Sequence, residues 1–294
     1  MSQRKINSHS PAGASRLIEQ EIHAFSRTSP ANRLPGTDNR PIFNRPLVHF
    51  ADGDDPIFAE YKTIIAPTHL TPREALARAC DKSPQDIPSQ LSVISWILPI
   101  TASTRKSNRQ QTGIPSRFWA HTRWYGEKFN ETLRQHVVEI LNGMGYLAVA
   151  PMLQTYFKIE RNQKGHYSNW SERHIAYAAG LGTFSLSDGF ITERGIAHRC
   201  GSVVTNLQLP PNPRTAATPY SNCLYYVDVS CKDCISRCPA GAITENGHDK
   251  VKCSAYIRNE LGYLLEEYNV GRYGCGLCQT NVPCEFKNPT VKKK

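Results

Sequence analysis

The sequence predicts an α+β protein in two parts, a mixed core followed by a small cysteine-rich module. Strand-like and helix-like patterns alternate from residue 60 to residue 212, which is typical of a mixed core. Beyond the prolines at 210, 211 and 213, the composition becomes rich in cysteine and loops. We therefore expect an N-terminal helix and extended arm at 1–60, a core domain at 60–212 and a cysteine-rich module at 213–294.

The first elements are predicted from apolar periodicity and capping signals. After a disordered start to about Pro11, residues 15–26 place their apolar side chains on one helical face. Residues 29–55 are rich in Pro, Gly, Asn and Asp, which predicts a long ordered arm. Thr71 to Glu74 predicts a helix start, because Thr caps, Pro follows and Glu completes a capping box.

Later elements follow from the same patterns. Three apolar runs predict strands, and they are Leu91–Ile100, Tyr146–Ala150 and Gly201–Leu209. Apolar periodicity predicts an amphipathic helix over 129–144 that stops at Gly145, and Asn169 predicts the N-cap of a helix through Ala179.

Composition indicates an ordinary globular chain. Apolar residues make up 39% and the mean hydropathy is −0.47. The longest apolar run, Leu91–Ile100, is about half the roughly 20 residues of a membrane-spanning helix, and Met1–Gly13 shows no secretory signal. We expect a cytoplasmic protein without a membrane partner.

The formal charge is +10, from 35 Lys and Arg against 25 Asp and Glu. A basic balance is compatible with a nucleic-acid partner. Metal ligation by cysteines would lower this charge, because ligation deprotonates the thiols. A mildly basic solvated surface is therefore favoured, and a nucleic-acid partner stays open.

Cysteine is concentrated near the end of the sequence. Eight of the ten cysteines fall between Cys223 and Cys284. Disulfides are disfavoured in a reducing cytoplasm, so clustered cysteines indicate metal ligands.

The most specific motif runs from Cys231 through Cys234 to Cys238-Pro239. Two cysteines separated by two residues can bind one cluster, and a third followed by Pro commonly binds a second, as in two-cluster ferredoxins. The usual first cysteine of such a run is replaced by Asp228, and Cys223 is the nearest substitute.

Crossing the ligands as two-cluster ferredoxins do assigns four cysteines to each of two [4Fe–4S] clusters. The first set is Cys223, Cys231, Cys234 and Cys284; the second is Cys238, Cys253, Cys275 and Cys278. The alternative is one or two structural zinc ions in Cys₄ sites. Cys80 and Cys200 are interpreted as core thiols.

Three segments carry a resemblance to a known family. They are Asn169 to Gly182 with its Ala-Gly-Leu-Gly end, Gly189 to Gly195, and Val203 to Leu209. Together with the double iron–sulfur module, they resemble epoxyqueuosine reductases and reductive dehalogenases. The resemblance covers about residues 90–285.

This resemblance implies a nitroreductase-like core that holds cobalamin, followed by a ferredoxin-like module that reduces it. The sequence departs from the family pattern at His166 and Asn206, where those reductases carry aspartate. We expect a sister branch without the C-terminal helical-repeat domain of epoxyqueuosine reductases.

Other candidate residues lie in the resembling region. Tyr167 is a candidate proton donor, since reductive dehalogenases use a tyrosine, although a surface tyrosine is the simpler interpretation. Gly180 and Gly182 are candidates for close approach to a cofactor. Glu172 is interpreted as a helix-capping carboxylate.

The resulting hypothesis is an iron–sulfur oxidoreductase. A low-potential donor of ferredoxin or flavodoxin type would supply electrons through two [4Fe–4S] clusters to a reductive site, with a corrinoid there, that acts on a small molecule. The first alternative is a non-catalytic electron carrier or activator of a partner corrinoid protein. A tRNA epoxyqueuosine-type reductase is the second alternative and ranks below both.

Overall fold

A computed structural model describes residues 10–37 and 39–291. Its centre is a four-stranded antiparallel sheet with the strand order β1-β2-β8-β3. The strands are β1 (Leu47–Asp52), β2 (Ser92–Pro99), β3 (Ala148–Val149) and β8 (His198–Thr205). The mixture of helix and sheet expected from the sequence is confirmed.

Strand β2 is buried along its whole length, which explains its uninterrupted apolar sequence. On one face, Ile94 and Trp96 pack with Phe129 and other residues of the long helix α5 (Arg117–Gly143). On the other face, Val93 and Ile97 pack against a second group of helices, which are α2 (Ile57–Ile64), α3 (Pro72–Ala79) and α6 (Glu172–Ala178). The core is therefore three layers, with the sheet in the middle.

The register of the sheet follows the apolar pattern. Ile94 of β2 lies opposite Phe50 of β1 and Val203 of β8, and Val149 of β3 lies opposite Val204. β1 belongs to the segment expected to be an arm, and pairing with β2 makes it a strand of the central sheet.

Helix boundaries differ from the sequence-based expectation where capping side chains decide them. Helix α1 is Pro11–Thr28, and it begins at Pro11 because the Ser10 hydroxyl accepts from the Gly13 N–H. Helix α3 has the expected capping box at Thr71 and Glu74. Helix α5 begins twelve residues before the expected start, with Ser116 as its N-cap.

Helix α6 begins at Glu172, with Ser171 at the N-cap position, so the expectation that Asn169 caps it was wrong. The Asn169 amide instead accepts from the Lys158 N–H and donates to the Tyr156 carbonyl. It therefore fixes the loop before the helix.

The remaining elements are short. Three hairpins are β4 (Ile159–Asn162) with β5 (Gly165–Ser168), β6 (Gly182–Phe184) with β7 (Phe190–Thr192), and β9 (Ile243–Thr244) with β10 (Gly247–His248). The remaining helices are α4 (Ala102–Arg109), α7 (Leu224–Asp228), α8 (Asp233–Ser236), α9 (Lys250–Asn259) and α10 (Leu264–Glu267). No helix among the described residues is both long and apolar enough to cross a membrane.

The cysteine-rich module is anchored to the core by a buried carboxylate. Glu285, whose side chain is 1% exposed, accepts two hydrogen bonds from the Arg109 guanidinium, at 2.6 and 2.7 Å, and lies 3.3 Å from Arg105 Nε. Arg237 of the module donates in return to backbone carbonyls of the core, Asn108 and Gln111. These contacts set the position of the cysteines relative to the sheet.

Candidate metal centre and the adjoining cavity

Four cysteines line one small cavity in the C-terminal module. They are Cys223, Cys231, Cys234 and Cys284. Cys223 is the N-cap residue of α7, Cys234 lies in the single-turn helix α8, and Cys284 lies in the turn before Glu285. Apolar side chains of Ile191 and Val282 complete the wall. The fold thus gathers thiols that are up to 61 positions apart in the sequence.

The other four cysteines influence one another electrostatically. Burial raises the pKa of the Cys275 thiol to about 11, a backbone N–H opposes this, and Cys253 and Cys238 raise it further. Burial raises the pKa of Cys278 well above its usual range, and Cys275, Cys253, Cys238 and Cys234 raise it further. Cys275 and Cys278 therefore both lie near Cys238 and Cys253, and Cys278 also lies near Cys234 of the first group.

The turn between Cys275 and Cys278 depends on Gly276. Its backbone is left-handed, with φ of +61°, and an added Cβ would lie 2.2 Å from the Trp119 ring of α5. Only glycine allows this approach without displacing the ring. Helix α5 therefore supports the loop that carries two of the cysteines.

The protein alone does not stabilise these thiols as thiolates. Burial raises the pKa of Cys234 to about 12, and charges on Cys223 and Cys231 raise it further. Burial also raises the pKa of Cys284 far above its usual range. A cationic metal centre is what converts such a group of thiols to thiolates. The donor set therefore fits an iron–sulfur cluster chemically.

Within residues 10–37 and 39–291, no three His, Cys, Asp or Glu side chains are arranged to hold a single metal ion. A cluster binds each thiolate through a different iron, so its four ligands stand further apart than those of one zinc ion. Cys80 and Cys200 lie outside both groups of four.

A larger cavity lies between the core and the cysteine-rich module. Its volume is about 490 Å³. The core contributes α2, the β4–β5 hairpin, α6 and Phe184, whereas Pro219, Tyr220 and Lys250 come from the C-terminal module. This volume falls in the range of about 300–1,000 Å³ that small-molecule sites usually have.

One wall of this cavity is aromatic and neutral. Tyr61, Tyr177, Phe184 and Tyr220 line it together with His174. Burial lowers the pKa of His174 to about 3, and the nearby Arg173 lowers it further, so the imidazole is uncharged at neutral pH. The Tyr61 hydroxyl of α2 donates to the His174 carbonyl of α6 at 2.7 Å. This hydrogen bond holds the two helices together.

Charged side chains also line this cavity. Asp188 lies 3.4 Å from both His248 Nδ1 and Lys250 Nζ. Burial opposes ionisation of this carboxyl, but His248 and Lys250 outweigh it and lower its pKa below the usual range. Arg173 donates to the Asp188 carbonyl, and Lys164 adds a further cation. Asp188, His174 and Tyr61 were not singled out by the sequence, because no motif marks them.

The candidate residues of the resembling region have different surroundings. His166 and Tyr167 line the cavity from strand β5. Burial, followed by the neighbouring Glu160 carboxylate, raises the pKa of the Tyr167 hydroxyl, which stays protonated at neutral pH. Tyr167 is thus placed where a proton donor could act.

Gly180 and Gly182 do make close approaches, but to the chain itself. A Cβ at Gly180 would lie 2.6 Å from the Pro213 carbonyl oxygen, and one at Gly182 would lie 2.2 Å from the Ile191 carbonyl oxygen. The space beside these glycines is therefore filled by protein backbone.

Glu172 belongs to a buried ion network. Its carboxylate accepts from the Arg134 guanidinium at 3.0 and 3.2 Å and from the Ser202 hydroxyl at 2.7 Å. Arg134 also pairs with Glu127, which pairs in turn with Arg199. Glu172 does lie in the first turn of α6, as the helix-capping interpretation expects, but its carboxylate makes no cap hydrogen bond and is held by side chains of α5 and β8.

Comparison with known proteins finds several epoxyqueuosine reductases among the relatives. An epoxyqueuosine reductase of Bacillus cereus is 26% identical over 203 residues, which are 67% of this chain and 49% of that protein. One of Bacillus anthracis is 34% identical over 119 residues, covering 38% of this chain and 29% of the relative. The chain thus spans about half, or less, of the length of these relatives. No family model matches it.

Solved structures that superpose on this chain are also of epoxyqueuosine reductases. Epoxyqueuosine reductase of Bacillus subtilis superposes with a TM-score of 0.46 at 15% identity, over 92% of this chain and 66% of that one. An epoxyqueuosine reductase crystallised with an epoxyqueuosine-modified stem loop of tRNA-Tyr gives a TM-score of 0.48 at 16% identity, with the same coverage.

Proposed function

We propose that this chain, which is related to epoxyqueuosine reductases, is an iron–sulfur reductase acting on a modified nucleoside in tRNA. One observation carries the proposal: eight cysteines, four of which line one small cavity, lie in a module that shares the wall of a 490 Å³ cavity with the core. The curated relatives supply the substrate class. Their name, epoxyqueuosine reductase, supports the alternative that the sequence ranked below the other two.

Two [4Fe–4S] clusters would be held by the two cysteine groups. The first group is Cys223, Cys231, Cys234 and Cys284, and the second is Cys238, Cys253, Cys275 and Cys278. When bound, such clusters supply electrons one at a time. Burial of the sulfurs among apolar side chains, and the anchoring of the module by Glu285, keep the ligands in place. A ferredoxin or flavodoxin type of donor is the partner that this role requires.

The cavity would bind and orient the nucleoside. Its aromatic wall suits a flat base, because bases stack on tyrosine and phenylalanine rings. Lys164, Arg173 and Lys250 at the rim suit the phosphates on either side of that nucleoside. Charge and shape of the cavity therefore agree with a single nucleotide of an RNA loop.

Proton supply is assigned to the β5 residues in the cavity. Reductive removal of an epoxide oxygen as water consumes two electrons and two protons, so the site needs a donor of protons. Tyr167 carries a protonated hydroxyl, and His166 lies next to it in the same wall. We assign the first proton to the Tyr167 hydroxyl.

A corrinoid does not fit this cavity as an enclosed cofactor. The 490 Å³ volume suits a drug-sized ligand, whereas a corrin ring with its nucleotide tail is much larger. The glycines expected to approach a cofactor are covered by Pro213 and Ile191. Cobalamin that binds at one equivalent and shifts its visible spectrum would restore that hypothesis.

The decisive experiment is single-turnover reduction of an epoxyqueuosine-containing tRNA stem loop by the anaerobically reconstituted, pre-reduced protein. We expect loss of the epoxide oxygen, detected by mass spectrometry of the released nucleoside, in the unaltered chain and in Cys80→Ser. Protein that passes electrons to an acceptor dye but leaves the stem loop unchanged would instead be an electron carrier.

A further inference from the structure

A second cavity lies on the other side of the core, between helix α1 and the arm that follows it. Its volume is about 680 Å³. Helix α1 contributes His23, Ser26 and Arg27, and the arm contributes Arg33 and Arg45 among others. It shares no lining residue with the cysteine cavity or with the cavity assigned to the nucleoside.

A buried amide makes this cavity a rigid frame. Asn32, 2% exposed, donates from Nδ2 to the Ser26 carbonyl at 2.8 Å and to the Phe43 carbonyl at 3.2 Å. Its Oδ1 accepts from the Phe43 N–H at 3.0 Å. The bond to Ser26 ties the arm to the end of α1, and the two bonds to Phe43 join two segments of the arm, so the walls of the cavity are fixed before any ligand arrives.

Three guanidinium groups face this cavity, and no carboxylate of the described residues pairs with them. Within the described residues, Arg27, Arg33 and Arg45 form no ion pair, and no Asp or Glu lines the cavity. Arg33 donates only to the carbonyls of Asn32 and Arg27, at 3.1 and 3.0 Å. Three cations in one cavity favour a ligand with more than one negative charge.

A neutral histidine orients one of these arginines. His23 places Nε2 3.0 Å from the Pro46 carbonyl, so this nitrogen donates and Nδ1 is left to accept. Arg45 Nε donates to His23 Nδ1 at 3.3 Å. Burial, followed by the Arg45 charge, lowers the pKa of His23 and preserves this neutral form, although Glu19 lies 3.8 Å away.

A hydroxyl without a hydrogen-bond partner among the described residues also lines this cavity. Ser26 is 3% exposed, and its Oγ has no hydrogen-bond partner among the described residues. Buried hydroxyls are nearly always hydrogen-bonded, so one without a partner at a cavity wall points to a group that is supplied from outside. Pro41, Phe43 and Ala24 add an apolar surface beside it.

We propose that this cavity binds a phosphorylated ligand. Arg27, Arg33 and Arg45 bind its phosphate oxygens, and the apolar surface around Phe43 contacts its organic part. Arginine forks match phosphate geometry, and 680 Å³ accommodates a nucleotide-sized molecule. The phosphate can belong to a free nucleotide or to the backbone of an RNA. This site is independent of the reductase function.

The test is isothermal titration of the full, cluster-loaded chain with inorganic pyrophosphate, with ADP and with unmodified tRNA. We expect saturable binding of pyrophosphate or ADP that Arg27→Ala and Arg45→Ala each weaken on the order of tenfold. Arg16→Ala, an exposed change on α1 outside the cavity, is the matched control and should bind as the unaltered chain does. The Arg27→Lys variant keeps the positive charge but loses the paired donors of the guanidinium group. Its affinity should therefore lie between those of the unaltered chain and Arg27→Ala.

The outcomes separate the two sources of phosphate. Binding of ADP or pyrophosphate that depends on Arg27 and Arg45 supports a free nucleotide. Binding of tRNA alone, weakened by the same two variants, supports the RNA backbone and keeps the phosphate site. The proposal is overturned when none of the three probes binds, or when they bind equally to the cavity variants and to Arg16→Ala. Unchanged melting temperatures without ligand verify that each variant is folded.

Discussion

Single cysteine side chains in the C-terminal module resist ionisation, and a bound metal centre offsets this cost. Burial raises the pKa values of Cys234 and Cys278, so each thiol resists ionisation while the protein is alone. Ligation by iron removes the proton and adds binding energy to folding. Loss of one ligand should therefore affect its own cluster far more than the other.

Iron content tests this at a chosen residue. The reconstituted chain should hold about eight iron and eight sulfide, as two cubanes require. Cys234→Ser should lose roughly half of both, because one of four ligands to the first cluster is gone. Cys80→Ser, a thiol at the end of α3, is the matched control and should lose none. Equal loss in both variants, or zinc without sulfide, would contradict the assignment.

Tyr167 gives a second test at the residue scale. Removing its hydroxyl in Tyr167→Phe keeps the ring in the cavity wall but removes the assigned proton donor. We expect the single-turnover rate to fall on the order of 100-fold, with iron content unchanged. A rate equal to that of the unaltered chain would transfer the role to another group, and His166→Gln would then be the variant to measure.

Helix α3 shows how a local signal fixes an element. Thr71 Oγ1 accepts from the Glu74 N–H at 3.2 Å, and the Glu74 carboxylate accepts from the Thr71 N–H at 2.8 Å. Thr71→Ala should lower the free energy of unfolding by about 1 kcal/mol in urea denaturation. Because the two bonds are reciprocal, the Thr71→Ala and Glu74→Ala effects should not add in the double variant. Additive effects would show that the box is not a unit.

The Glu74 carboxylate adds a pH dependence to the same helix. Burial opposes its ionisation, but the Thr71 N–H and Lys62 outweigh burial and lower its pKa in the folded state. Because the folded-state pKa of Glu74 lies below the unfolded value of about 4.3, the ionised carboxylate stabilises the protein above that pH. This stabilisation is lost as the pH falls through the folded-state pKa. The difference in unfolding free energy between Glu74→Gln and the unaltered chain should therefore shrink below about pH 4.

Elements with strong local signals were predictable, and elements defined by distant partners were not. β2 was predicted because burial on both faces leaves an unbroken apolar run, and α3 because its cap is local. The first twelve residues of α5 were missed, since His121 and Trp119 there face the cysteine module and not the sheet. The first predicted set of four cysteines lines one cavity, and the second set stays a prediction. The 490 Å³ cavity draws on segments from Ile57 to Lys250 that no spacing rule connects.

At the scale of the whole molecule, one carboxylate joins the two parts. Glu285 is buried, follows Cys284 directly, and is held by Arg105 and Arg109. Glu285→Ala leaves two guanidinium groups without their anion and should cost about 3 kcal/mol of unfolding free energy. The first cluster should also become easier to lose, measured as iron release to a chelator. Lys287→Ala, an exposed change two residues away, should alter neither quantity.

Charge on the whole molecule gives the last prediction, which concerns tRNA. The formal +10 becomes about +6 when two clusters are bound, so attraction to RNA depends on where the cations lie and not on the total. Lys164, Arg173 and Lys250 surround the cavity assigned to the nucleoside. Each phosphate contact made by such a residue releases counterions, and binding weakens as salt rises.

Binding of the stem loop should therefore fall linearly on a plot of log affinity against log salt. Lys164→Ala should reduce the slope by about one and weaken binding to modified and unmodified stem loops alike, because phosphate contacts carry no base information. Tyr220→Ala removes an aromatic wall instead, so it should weaken the modified stem loop more and leave the slope unchanged. Lys128→Ala, on α5 beside Trp124 and outside the cavity, serves as the charge-matched control. If Lys128→Ala and Lys164→Ala change the slope equally, the attraction is a property of the surface as a whole, and the cavity is not where tRNA docks.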